Sequence, residues 1–147
     1  MKDSISVEFS AIPPDSVLPI WNNVAPLFEK LITRQRSSSS LVDYYKKIAI
    51  NKSHLLWVTW EAGNINNILM VLLTHVNQKV LEVSSCAGKD LDKWSNGYIM
   101  TCKTLEQFGR DLGCTRSRIL HGRMGWNKLL SKELNMKVTG YTYEKEL

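Results

Sequence analysis

The alternation of apolar and polar residues changes period along the chain, and those changes mark out its elements. Residues 5–12, "ISVEFSAI", alternate weakly and predict a strand that Pro13-Pro14 ends. Asp15 is placed to cap a helical stretch carrying Val17, Leu18, Trp21 and Val24. Pro19 and Pro26 predict that this stretch is broken into short pieces. "PLFEKLITR" continues as helix and "QRSSSS" (35–40) is a polar loop. Its last serine, Ser40, is an N-cap for "LVDYYKKIAI", where Leu41, Tyr45, Ile48 and Ala49 share a face. On such a helix Tyr44 and Tyr45 cannot both point inward.

In the middle of the chain the period falls to two. "HLLWVTWE" (54–61) reads as a strand, "AGN" as a turn, and "INNILMVLLTHV" (65–76) as the returning strand of a hairpin. "NQ" turns the chain again into "KVLEVSSC" (79–86). Three strands joined by short turns predict an antiparallel meander. Trp57 and Trp60, three apart on one strand, should face opposite sides of the sheet.

After Gly88 the helical period returns. Leu91, Trp94, Tyr98, Cys102, Leu105, Phe108 and Leu112 recur every three or four residues, predicting a long helix over about 90–112 with Gly113 beyond its end. "SRILHG" (117–122) reads as a strand, "WNKLLSKEL" as a short helix with Trp126, Leu129, Leu130 and Leu134 inward, and "KVTGYTYEKEL" as a closing strand. The order β-α-α-β-β-β-α-β-α-β is an α+β layout, a mostly antiparallel mixed sheet flanked by helices. A chain of 147 residues is expected to form one domain over 1–147.

Composition narrows the setting more than the function. The opening "MKDSISVEFS" lacks the apolar run of a signal peptide, and no stretch approaches the roughly 18 apolar residues of a membrane span. Cys86, Cys102 and Cys114 show no paired spacing with one another or with His54, His75 and His121. Reduced, packed thiols and no metal site are therefore expected. The net charge of +5 is local. Seven basic residues against two acidic ones between Arg110 and Lys137 give 7 − 2 = +5, leaving the rest of the chain balanced. Such a surface suits a phosphate, a nucleic acid or an acidic protein. Stacking on aromatics beside that segment would suit single-stranded nucleic acid, but no nucleic-acid motif is present.

The order of elements resembles the GNAT fold of the N-acetyltransferases over nearly the whole chain. The second half resembles a phage-encoded GNAT-like branch with a Gly-Arg-x-Gly-Trp motif. The residues that carry this are Arg110, Gly113, Cys114, Gly122, Arg123, Gly125, Trp126 and Lys145-Glu146-Leu147, together with "LLWVTWEAGNI". The resemblance implies an acetyl-CoA site in which backbone N–H groups after the fourth strand hold a pyrophosphate at the long helix's N-terminus. The family's loop reads Gln/Arg-x-x-Gly-x-Gly/Ala. Here "SSCAGKDLDKW" (84–94) supplies Gly88 and Lys89, without the Gln/Arg or a second small residue. Asp90 and Asp92 would fall in the helix's first turn and repel a pyrophosphate.

The tyrosine that many family members use as general acid is replaced by Leu130, and Asn135-Met136 stands for Gly-Phe. Glu82 and His75 are the candidate acid–base residues, each with a plain structural role as the alternative. Arg123, between Gly122 and Gly125, offers a bidentate charge to a phosphate or a carboxylate, although a structural turn packed by Trp126 accounts for the glycines. Two functions follow. In the first, this is a phage GNAT-fold protein with a degenerate acetyl-CoA site, a non-catalytic virion-associated or assembly component in the virion or host cytoplasm. Its partners would be phage structural proteins or further copies of itself, with no cofactor. In the second, it is an acetyl-CoA-dependent N-acyltransferase with a nonstandard pyrophosphate loop.

Overall fold

The computed structural model describes residues 3–35, 39–120 and 136. Strand β1 (Val7–Ile12) ends at Pro13, and a single 3-10 turn, Pro14–Ser16, leads into helix α1 (Val17–Gln35). Asp15 lies inside that turn and caps nothing. Contrary to the expectation from its prolines, α1 is one continuous helix. Pro19 sits in the first turn, where a backbone N–H has no helical partner to lose. Pro26 is internal and costs roughly 3 kcal/mol. Against that, Val17, Val24, Leu27, Phe28 and Leu31 are all buried along one face, at about 1.5–3 kcal/mol for each such side chain.

Ser40 caps α2 (Leu41–Tyr45) as expected: its hydroxyl accepts from the Asp43 N–H while the Asp43 carboxylate takes the Ser40 N–H. The helix then widens into a π turn, Lys46–Ile50. Tyr44 and Tyr45 both pack toward α1, which corrects the expectation that one must turn away. Helix α1 offers two rings, Trp21 and Phe28, with centroids 5.6 Å apart. Tyr44 stacks on Phe28 and Tyr45 meets Trp21 edge-on.

The sheet has the order β1-β2-β3-β4-β5. Strands β2 (Leu55–Glu61), β3 (Asn64–Asn77) and β4 (Val80–Gly88) form the expected meander, and β1 pairs antiparallel with β2. Strand β5 (Arg116–Ile119) runs parallel to β4, so the sheet is mixed. Its two faces feed separate cores. Leu56, Val58, Val71 and Leu73 pack under α1 and α2. Trp57, Leu72, Leu81 and Val83 pack under α3 (Ser95–Asp111). Trp57 and Trp60 accordingly belong to opposite faces.

The long helix begins later than its periodicity suggests. Asp90 takes a left-handed φ of 56°, Leu91–Lys93 make a 3-10 turn, and Trp94, at φ −144° and ψ 32°, is neither helical nor extended. Trp94 keeps the helical spacing because its ring is fully buried beneath the turn, with Nε1–H donating to the Lys89 carbonyl at 2.9 Å. The expected short helix and closing strand, with Gly122, Arg123, Gly125, Trp126 and Leu130, lie outside the described residues. No helix among the described residues is long and apolar enough to cross a membrane.

Candidate functional site

Both candidate acid–base residues sit on the β3–β4 hairpin, and its turn sets their relation. Gln78 and Lys79 both have positive φ, 50° and 64°, making a tight two-residue turn of the kind that matches strand twist. Asn77 then faces Val80, and His75 faces Glu82. His75 Nε2 lies 3.3 Å from Glu82 Oε2. Strand β5 brings Arg118 opposite Glu82, its Nη1 3.4 Å from Oε1, and Asn77 Nδ2 donates to the same oxygen at 3.5 Å. Glu82 is only 5% exposed, so these three partners replace the water its carboxylate has lost.

A second imidazole stands beside the first. Leu55 faces Thr74, so His54, one residue earlier, adjoins His75 with ring centroids 4.8 Å apart. Ser53 Oγ lies 2.9 Å from His54 Nδ1. Burial, then the neighbouring His75 and Lys47, hold His54 below its ordinary pKa. The carboxylate at His75 Nε2 favours the tautomer with its proton on that nitrogen. Nδ1 is then a buried lone pair with no hydrogen-bond partner among the described residues. Chemically, the corner can hold and pass a proton between Glu82 and His75. His54, Asn77 and Arg118 were not among the residues singled out from the sequence, and the cross-strand register is the signal that joins them.

The expected cofactor residues are arranged differently. Among the described residues, pairing of β4 with β5 runs as far as Val83 and Ile119, with Leu120 N–H on the Val83 carbonyl. Among the described residues, the last stretch of β4 has no β5 partner. Its carbonyls are covered by α1: Arg34 Nη2 donates to Cys86 O at 3.3 Å and Lys30 Nζ to Gly88 O at 3.0 Å. Gly88 is needed because the strand passes close to its neighbour; a Cβ there would lie 3.0 Å from Leu69 O. The Lys89 N–H donates to that same carbonyl, so it is used within the sheet. Arg123 lies outside the described residues.

The N-terminus of α3 already holds an anion. The Asp3 carboxylate accepts from Asn96 N at 3.1 Å and from Gly97 N at 3.0 Å. The Ser4 and Ile5 N–H groups both donate to Lys93 O, fastening this segment across the turn before α3. Asp90 and Asp92, expected in the helix's first turn, precede the helix instead. The carboxylate on this helix end comes from a residue 94 positions before Gly97.

Burial pushes the Cys86 thiol up to about 12 and Cys102 up to about 11. Cys86, Cys102 and Cys114 are free thiols. Among the described residues no group of three or more His, Cys, Asp or Glu is placed to hold a metal ion.

No family model matches the chain, and no curated protein matches it in sequence. Solved structures do match in fold. An acetyltransferase from Trypanosoma brucei superposes with a TM-score of 0.69 at 10% identity, covering 97% of this chain and 100% of that one. An aminoglycoside acetyltransferase from an uncultured soil metagenomic sample, in complex with trehalose, gives 0.64 at 12% identity, covering 95% and 97%. Glucosamine-6-phosphate N-acetyltransferase from Arabidopsis thaliana gives 0.64 at 10% identity, covering 96% and 98%. The chain has the GNAT fold, and at these identities the likeness extends to the fold alone.

Proposed function

We propose that this is a GNAT-fold protein whose coenzyme groove is closed by its own chain, and that it serves as an interaction or assembly protein rather than an acyltransferase. One observation carries the reading: the Asp3 carboxylate sits on the Asn96 and Gly97 N–H groups, at the helix end where a pyrophosphate would need those donors. A coenzyme phosphate arriving there meets a negative charge in place of free donors. Lys30 and Arg34 on the β4 carbonyls support it, since they cover the polar edge of β4 beyond its β5 partners among the described residues. Among the described residues, this helix end does not fit the pyrophosphate of acetyl-CoA. The resemblance of the second half to phage-encoded proteins directs the search for partners to phage structural proteins or further copies of this chain.

Calorimetric and thermal-shift titration with acetyl-CoA tests the closed groove. The expected result is no saturable stabilisation up to millimolar coenzyme. A shift that saturates overturns the reading, because binding to the native state alone at a hundred times Kd adds about 2.7 kcal/mol. Copurification with phage particles tests the assembly role.

An acyltransferase reading has its own observation, the buried Glu82 beside His75. In that reading the Glu82–His75 pair together serves as the general base for an acceptor amine. Acyl transfer from acetyl-CoA to a panel of amines, abolished in Glu82→Gln, would establish it.

A further inference from the structure

The corner formed by His54, His75, Glu82 and Arg118 is closed around a limited number of protons, whatever the protein binds. We propose that it is a proton-operated catch on the 51–54 connection. A proton arriving on His54 releases the connection from the body of the sheet.

The groups around it set where a proton is disfavoured. His75 on β3 has a carboxylate at 3.3 Å, and that carboxylate is also held by Arg118 of β5 and Asn77 of β3. A proton there completes an ion pair. His54 has no carboxylate among its contacts on the described residues. It faces the His75 ring at 4.8 Å, Lys47 of the π turn adds a second repelling charge, and Ser53 is a neutral partner. Burial first, then the His75 ring and Lys47, disfavour a charge on His54, so a proton there favours the arrangement in which His54 swings into water.

The connection is built to yield. Ser53 N, His54 N and Ser53 Oγ all converge on one acceptor, Lys47 O, at 3.0, 3.3 and 3.4 Å. Lys52, just before them, is held at φ 55°, a strained conformation for a residue with a side chain. Losing the His54 contact therefore frees a short strained segment without touching β2–β3 pairing, which begins at Leu55. The direction in pH follows from the depressed pKa. The neutral ring is the form the fold favours, so its stabilisation is complete above the ordinary 6.5 and is lost as pH falls through that value toward the folded-state midpoint.

Hydrogen exchange and histidine NMR on the full chain between pH 7.5 and 5 test this. After correction for intrinsic rates, the Ser53 and His54 amides should exchange faster as pH falls, by about tenfold for each unit by which His54 titrates below 6.5. Amides of Leu56 to Val58 should not respond. In His75→Asn the His54 midpoint should rise yet stay below 6.5, because burial is its larger cause and remains. In His54→Gln the pH response should vanish. An unchanged His54 midpoint in His75→Asn, or an unchanged exchange profile in His54→Gln, would overturn the proposal.

Discussion

Gly97→Ala sets two opposing effects against each other, and the structure says which wins. In the first turn of α3, alanine in place of glycine stabilises the helix by at most about 1 kcal/mol. The new Cβ, however, would lie 2.6 Å from Val7 Cγ2. Carbon atoms in contact rest about 3.5–4.0 Å apart, so helix and strand would have to separate by about 1 Å. Val7 cannot give way alone, because a β-branched side chain is stiff at χ1 and its backbone is paired with Glu61. Overpacking of this kind costs about 1–3 kcal/mol. Separation also lengthens the bonds from Asn96 and Gly97 to Asp3. The expected net effect is a loss of about 1 kcal/mol, or roughly 2–4 °C in Tm for a chain of this size. Urea denaturation followed by tryptophan fluorescence measures it, with Val7→Ala and the double variant completing a cycle. The double variant should recover stability relative to the sum of the singles by about 1 kcal/mol. A Gly97→Ala variant more stable than the parent, or an additive cycle, would refute the packing of the N-terminal segment on α3.

Other consequences are as direct. Trp57→Phe should cost about 1–3 kcal/mol, because it strands the Thr74 hydroxyl that accepts Nε1–H at 2.9 Å in the buried core; adding Thr74→Val should recover part of that loss in the same denaturation assay. Ser40→Ala should cost about 1 kcal/mol by removing the hydroxyl half of the capping box. NMR titration should show the Asp43 midpoint rising in that variant yet staying below 3.8, because the Ser40 backbone N–H is the larger cause of its depression and remains; the parent's contribution from Asp43 is complete above 3.8 and fades as pH drops below it. Iodoacetamide at about pH 8 should alkylate Cys102 on the order of a hundredfold, and Cys86 on the order of a thousandfold, more slowly in the folded protein than in urea, read by mass spectrometry, because thiols at about 11 and about 12 carry almost no thiolate.

What the sequence disclosed was local, and what it concealed depended on distance or on a single residue of register. Ser40, Gly63 and the apolar stripe of α1 act through neighbours a few positions away, so their roles are written in short windows. Pro26 misled because its local cost of roughly 3 kcal/mol is visible at one position, whereas the five buried side chains that outweigh it are spread over the whole helix. The start of α3 was misplaced because a buried Trp94 in a non-helical conformation keeps the same spacing as a helical one. Asp3 meets Gly97 across 94 positions, and no window connects them. The corner at Glu82 and His75 lay nearer to reach. Placing the turn at Asn77-Gln78 instead of Gln78-Lys79 moves every cross-strand partner and sets Glu82 opposite Leu73 rather than His75. Neither turn carries the glycine that would have fixed the choice, since both residues of the true one adopt left-handed conformations without it. Shifted by that residue, Glu82 and His75 read as two isolated candidates; in register they form one site, and the Leu55–Thr74 pair then brings His54 beside them. The chemistry of this corner is therefore a property of pairing, and the turn that sets the pairing is as much a part of the site as the side chains that meet there.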